Sequence, residues 1–213
     1  MSDFMTTVIA VSGPPGSGKT TLARALADAL GNAASIHMDN YEQMTRKPLD
    51  EVMRWMDDGA PFDDVPMPGL EEHLARLKAG DSVVDPATGL KVRPAPYIVF
   101  ETQFGRAHPG TGRHIDLLVW LDTPADVALA RVLKAHTSAA CREAGEAGCS
   151  GRMAWLDSYL ENYLKLVARL VSLQRDKVRP GAEIVVDGTR DPAVLVGQLL
   201  RDIPRYSHRP LDP

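Results

Sequence analysis

The sequence predicts a doubly wound α/β fold, a mainly parallel five-stranded sheet with helices on both faces, formed by one domain over residues 1–213. Three observations lead there. Five short apolar runs alternate with stretches of helical periodicity. A glycine-rich turn joins the first of these runs directly to a helix, and no internal repeat or linker-like composition divides the chain.

Thr7 to Ser12 is a β-branched run that suits a buried parallel strand. Leu22, Leu26 and Leu30 then recur at helical spacing, and Gly31 offers a C-terminal cap. Ala34 to Met38 reads as the second strand, ending at Asp39, and the Pro- and Asp-rich stretch from Met44 to Gly69 has room only for a short helix near Leu49 to Met56. Leu70 to Lys78 is a helix with Leu70, Leu74 and Leu77 on one face, and Val83 to Ala95 reads as a short hairpin. Tyr97 to Glu101 and Ile115 to Leu121 are the third and fourth strands. Pro124 sits where the first turn of a helix running to about Lys134 would begin. Residues from about His136 to Gly151 are small and polar and read as a lid; a long helix from Arg152 to Arg175, a strand from Glu183 to Val186 and a helix from Pro192 to Arg201 follow, with 204–213 as a tail.

A net charge of −4 gives no broad positive field, which argues against nucleic acid as a partner. No apolar run reaches the ~20 residues of a membrane span, and Met1 to Thr7 has no basic and apolar leader pattern. Cys141 and Cys149 lack the neighbours of a zinc site. These features predict a cytoplasmic protein that does not act at a membrane.

Gly13-Pro14-Pro15-Gly16-Ser17-Gly18-Lys19-Thr20 fits G-x-x-x-x-G-K-[ST]. Glycines let successive backbone N–H groups turn inward onto phosphate oxygens, and the helix that follows adds partial positive charge. Lys19 would reach the β- and γ-phosphates of ATP and Thr20 would ligate Mg²⁺, with Thr21 beside it on the same turn. The motif alone leaves kinase, ATPase and nucleotide switch open.

In open α/β sheets ligands gather at the carboxyl ends of the strands, so Asp39, Glu101 and Asp122 carry weight. A kinase needs one carboxylate at the acceptor hydroxyl and another near Mg²⁺. Asp39 suits the first task and Glu101 the second, whereas Thr123-Pro124 after Asp122 suggests a helix cap. His37 shares the Asp39 face by strand alternation and reads equally as a satisfied polar residue. The loop Phe104 to His114 contains Arg106, a candidate for an anionic substrate group, and Trp155, Tyr159 and Tyr163 recur as a packing stripe.

These residues resemble the uridine kinase and phosphoribulokinase group of P-loop kinases, which includes bacterial pantothenate kinase. The resemblance is carried by Gly13 to Thr20, Met38 to Tyr41, Phe62-Asp63-Asp64, Leu74 to Val84, Ile98 to Glu101 and Leu121 to Arg131. It implies a nucleoside-monophosphate-kinase-like fold with a helical lid, ATP and Mg²⁺ as cofactors, and phosphoryl transfer to a small-molecule hydroxyl such as that of a nucleoside or a sugar-like compound. By the same resemblance Asp39, Lys19 and Arg131 are the catalytic set; Asp39, Tyr41, Asp63 and Glu101 face the substrate, joined by Arg106 from the loop reading above; Thr20 and Glu101 stand at the metal; and the loop around Arg190 holds adenine. The family also allows a homodimer. The chain departs from it where Thr102 replaces the usual Gly after Glu101, where the lid lacks R-x-x-R-D, and between Val83 and Pro96, where the aromatic and histidine pair that reads uracil is missing. The rival reading is a regulatory P-loop ATPase acting on a protein partner.

Overall fold

The computed structural model describes residues 6–143 and 149–206. Its main sheet has five strands, β1 (Thr7–Ser12), β2 (Ala33–His37), β5 (Tyr97–Glu101), β6 (Leu117–Asp122) and β7 (Ile184–Asp187). They run in the order β2-β5-β1-β6-β7, with every neighbouring pair parallel. The short antiparallel pair β3 (Val83–Val84) and β4 (Lys91–Val92) is the hairpin expected there.

Strand alternation sorts the core into two layers. Val8, Ala10, Ile36, Ile98, Phe100, Leu118 and Trp120 face one side, where α2 (Leu49–Asp57) and α3 (Leu70–Lys78) pack through Val52, Met56, Leu70, Leu74 and Leu77. Ile9, Val11, Val99, Val119 and Leu121 face the other, against Leu22 and Leu26 of α1 (Lys19–Leu30) and Leu195 and Leu199 of α8 (Pro192–Asp202). The central strands β1, β5 and β6 are largely apolar because both of their faces are covered.

Beta1 lies between β5 and β6, and its chain leaves for β2 at the sheet edge beyond β5. That reversal of direction opens the crevice at the carboxyl end of β1, where the glycine-rich loop begins.

The stretch expected as a lid is largely helical, as the resemblance implies. Helix α5 runs from Ala125 to Glu143 and α6 starts at Cys149, so much of the anticipated lid is helical. The alanines of this stretch carry high helix propensity. Residues 144–148 of the expected lid, and 207–213 of the expected tail, lie outside the described residues. The long helix predicted beyond the lid is interrupted by a π-helical turn, Tyr163–Val167, before α7 (Ala168–Lys177). The ring of Trp155 stacks on Tyr159 at 5.2 Å and meets His136 at 4.2 Å, so the aromatic stripe ties α6 to α5. A short helix, α4 (Pro109–Gly112), lies between β5 and β6. Among the described residues no helix is long and apolar enough to cross a membrane.

Candidate active site

The phosphate loop is shaped by its glycines. Gly16 and Gly18 adopt φ of 77° and 100°, which L side chains rarely tolerate. A Cβ on Gly16 would run into the carbonyl oxygen of Ala128 and come within 2.7 Å of Val132 Cγ2. The loop is therefore held close against α5 as well as curled. Ser12 and Ser17 contribute buried hydroxyls that have no protein partner.

Lys19 opens α1 and is buried, its ammonium donating to the carbonyl of Pro14 at 3.1 Å. Burial lowers its pKa, and the charges of Glu101 and Asp39 oppose that shift. The charges felt by Lys19 are those of two of the three strand-end carboxylates the sequence singles out. Thr20 Oγ1 donates to Glu101 Oε1 at 2.7 Å, joining the first turn of α1 to the end of β5. The other oxygen of Glu101 pairs with His37 Nδ1 at 2.6 Å. Parallel pairing sets His37 opposite Glu101 at the ends of β2 and β5, which accounts for the contact. Burial would raise the Glu101 pKa, but hydrogen bonds from His37 and Thr20 and the charge of Lys19 hold it below the usual range. The same hydrogen bond raises the pKa of His37 against desolvation.

Asp39 stands exposed on the 3₁₀ turn Met38–Asn40. Gln103 Nε2 donates to its Oδ1 at 3.2 Å, and Gln103 in turn accepts from the wholly buried Gln174 of α7 at 3.2 Å. Asn40 donates to Asp85 at 2.7 Å, which clips the turn to the β3–β4 hairpin. Sequence reasoning missed Gln103, Gln174, Asp85 and the role of His37. Only the strand register of His37 carried a signal for its contact.

Arg131 reaches the loop by donating to the carbonyls of Ser17 at 3.0 Å and Gly188 at 2.8 Å. It fastens the phosphate loop to the 187–191 loop, on which Arg190 is exposed. Thr21 is exposed on the first turn of α1. Asp63 is exposed on the 3₁₀ turn Phe62–Asp64, and its charge acts on His108.

Three expectations need correction. Tyr41 is only 3% exposed, and its hydroxyl is paired with His73 Nδ1 at 2.9 Å. Burial, with the charge of Asp85, pushes its pKa up to about 12. It supports the Asp39 turn from inside and does not face a substrate. Arg106 donates to the carbonyls of Ile115, Gly181 and Asp116 and pairs with Glu183 at 2.8 Å. These groups precede β6 and β7, at the opposite end of the sheet from the loop, so Arg106 braces the fold away from the crevice. Asp122 directs its carboxylate to Arg175 at 2.7 Å and Arg179 at 3.4 Å, where a cap had been expected.

The residues present fit ATP and a hard divalent cation. Inward-turned glycines, a buried lysine and buried serine hydroxyls suit phosphate, and the paired oxygens of Thr20 and Glu101 suit Mg²⁺. Among the described residues no cluster of three or more His, Cys, Asp or Glu side chains could hold a metal.

Comparison with known proteins agrees. A family model described as an AAA domain matches residues 9–148. A uridine kinase of Halobacterium salinarum is 25% identical over 199 residues, covering 87% of this chain and 82% of the relative. Another, of Chloroflexus aggregans, is 29% identical over 177 residues, covering 77% and 78%. A possible uridine kinase from Bacillus stearothermophilus superposes with a TM-score of 0.55 at 17% identity over 88% of this chain and 91% of its own. Shikimate kinase from Acinetobacter baumannii superposes at 0.50 and 16% identity over 96% of each chain. These two structures bear on the fold alone. With its phosphate loop seated at the switch point of a parallel sheet and the family model spanning that loop and the crevice, the chain belongs to the AAA-domain family, among the P-loop small-molecule kinases.

Proposed function

We propose that the protein transfers the γ-phosphoryl group of ATP to a hydroxyl of a small metabolite, with Asp39 orienting the acceptor oxygen and receiving its proton. The observation that carries this reading is the contact of Glu101 with Thr20, beside the buried Lys19 of the phosphate loop, with Asp39 on the turn that follows the neighbouring strand β2. A buried cation beside the loop would neutralise charge on the transferring group, and a carboxylate in the same field has a hydroxyl to orient. Mg²⁺, when bound, supplies charge neutralisation between the β- and γ-phosphates. Thr20 and Glu101 would hold it, and His37 would keep the Glu101 carboxylate turned toward Thr20. Arg131 would hold the loop in its curled form, Arg190 and its loop would meet the adenine, and Asp63 would meet hydroxyls of the acceptor.

The names of the relatives support a nucleoside or sugar-like acceptor as the first class to try. ADP release measured with Mg²⁺ and ATP over a panel of hydroxylated metabolites tests the reading. Acceptor-dependent release is expected, with Asp39→Asn losing roughly 10²-fold or more in kcat while ATP affinity stays near that of the parent. Near-normal turnover of that variant would remove Asp39 from its role. Fast ATP hydrolysis with no acceptor, stimulated by a protein partner, would instead favour the regulatory ATPase.

A further inference from the structure

Beside Asp39 lies a cavity of about 380 Å³, room enough for a metabolite-sized molecule. Met38 and Gln103 belong to both places. Met38 precedes Asp39 in the chain, and Gln103 lines the cavity while donating to the Asp39 carboxylate. The rest of the wall is largely apolar, with Met44, Trp55, Met56 and Phe104 meeting Leu166 and Leu170 from the π turn and α7.

Several of the polar groups in this wall are already engaged. Glu42 accepts from the amide and the hydroxyl of Thr45, both at 3.0 Å. Gln103 is held between Asp39 and Gln174, and the indole N–H of Trp55 donates to Pro61 at 3.0 Å. Lys47 and Asn162 are exposed. A base edge or a ring of sugar hydroxyls enclosed here would give up water and, beyond Lys47 and Asn162, meet few polar groups to replace it, a loss that apolar contact does not make good. A hydrocarbon body has no such loss, and each buried methylene favours binding about fourfold.

We infer that this cavity is the acceptor subsite, and that the acceptor is an alcohol whose hydroxyl meets Asp39 and whose body is alicyclic or aryl. In the transfer, the acceptor oxygen forms a bond to the γ-phosphorus, the bond from that phosphorus to the bridging oxygen of ADP breaks, and ADP leaves with the electron pair. The hydroxyl proton passes to Asp39. The inference rests on the phosphotransferase reading above and narrows its acceptor away from nucleosides and free sugars.

The test uses the full chain and two readouts. Emission of Trp55 is titrated with cyclohexylmethanol, 2-phenylethanol, uridine and D-ribose, with Trp55→Phe as the blank; ADP release with Mg²⁺ and ATP is then measured for the same four. The two apolar alcohols should perturb Trp55 and support release with kcat/KM at least tenfold above uridine and ribose. Leu49, 48% exposed at the cavity, gives a variant, Leu49→Lys, that need not disturb the core. It should raise the KM for the apolar alcohols at least fivefold and leave ATP affinity unchanged. Preferred use of uridine or ribose, indifferent to Leu49→Lys, overturns the inference and leaves the phosphotransferase reading standing. Perturbation of Trp55 without ADP release from any of the four overturns the transfer reading, and the inference with it.

Discussion

Thr20 and Glu101 share a hydrogen bond of 2.7 Å between the first turn of the phosphate-loop helix and the end of β5. The contact joins the nucleotide side of the crevice to the strand that borders both β1 and β2. Glu101→Gln keeps the shape and removes the charge. It should lower kcat by about 10²-fold with a few-fold effect on ATP affinity, and raise the Mg²⁺ concentration needed for half-maximal rate. Single-turnover kinetics with an Mg²⁺ titration would check this; an unchanged Mg²⁺ requirement would exclude Glu101 from the metal.

Gly16 is where the loop comes closest to α5. Alanine there would be strained at a φ of 77° and would push against Ala128 and Val132. Gly16→Ala should cost about 1–3 kcal/mol of stability and raise the KM for ATP at least tenfold. Thermal melts with and without ATP separate the two effects, since ATP should stabilise the parent far more than the variant.

Asp122 gives a pH-dependent prediction whose sign follows from its neighbours. Burial would raise its pKa, but the hydrogen bond and charge of Arg175, with Trp120 and Arg179, hold it below the ordinary 3.8. A carboxyl depressed in the folded state adds stability above its unfolded pKa and loses it as pH falls through the folded one. Asp122→Asn should therefore melt roughly 1–3 °C lower than the parent at pH 6. The gap should close as the pH falls below 3.8. A gap that widens on acidification would contradict the assignment.

Arg106 separates structure from catalysis. It gathers the carbonyls before β6 and β7 and the Glu183 carboxylate. Arg106→Ala should lose about 2 kcal/mol, or roughly 4–8 °C in Tm. Its kcat/KM for ATP and acceptor, measured below the melting transition, should stay within about twofold of the parent. A large rise in acceptor KM would return Arg106 to the substrate.

Local chemistry made most of the fold legible. The β-branched run of β1, the leucine spacing of α1 and α3, and the glycines of the loop each specify their element from within a few residues. What eluded the sequence was set by groups far apart in it. Tyr41 reads as a substrate residue until His73, on α3, is found to take its hydroxyl. Arg106 reads as an anion site until the approach of Gly181 and Glu183 is known. The apolar wall beside Asp39 is assembled from four separate stretches between Met38 and Leu170, none of which has a pattern of its own.

Gln174 is the residue whose position asks most for a function. It is 0% exposed, it donates to Gln103, and its own carbonyl oxygen has no partner. A buried amide left half satisfied costs stability, so its replacement by an apolar residue of similar length should be close to neutral for folding. Its consequence lies in Gln103, which without that anchor can turn its amide away from Asp39. Gln174→Met should keep the melting temperature within about 3 °C and ATP affinity unchanged, while kcat falls about three- to tenfold. A purely structural glutamine would do the reverse, lowering the melting temperature with kcat intact. Because Gln174 belongs to the helix that follows α6 and the π turn, a loss confined to kcat would also mean that α7 reaches the Asp39 carboxylate through two side chains.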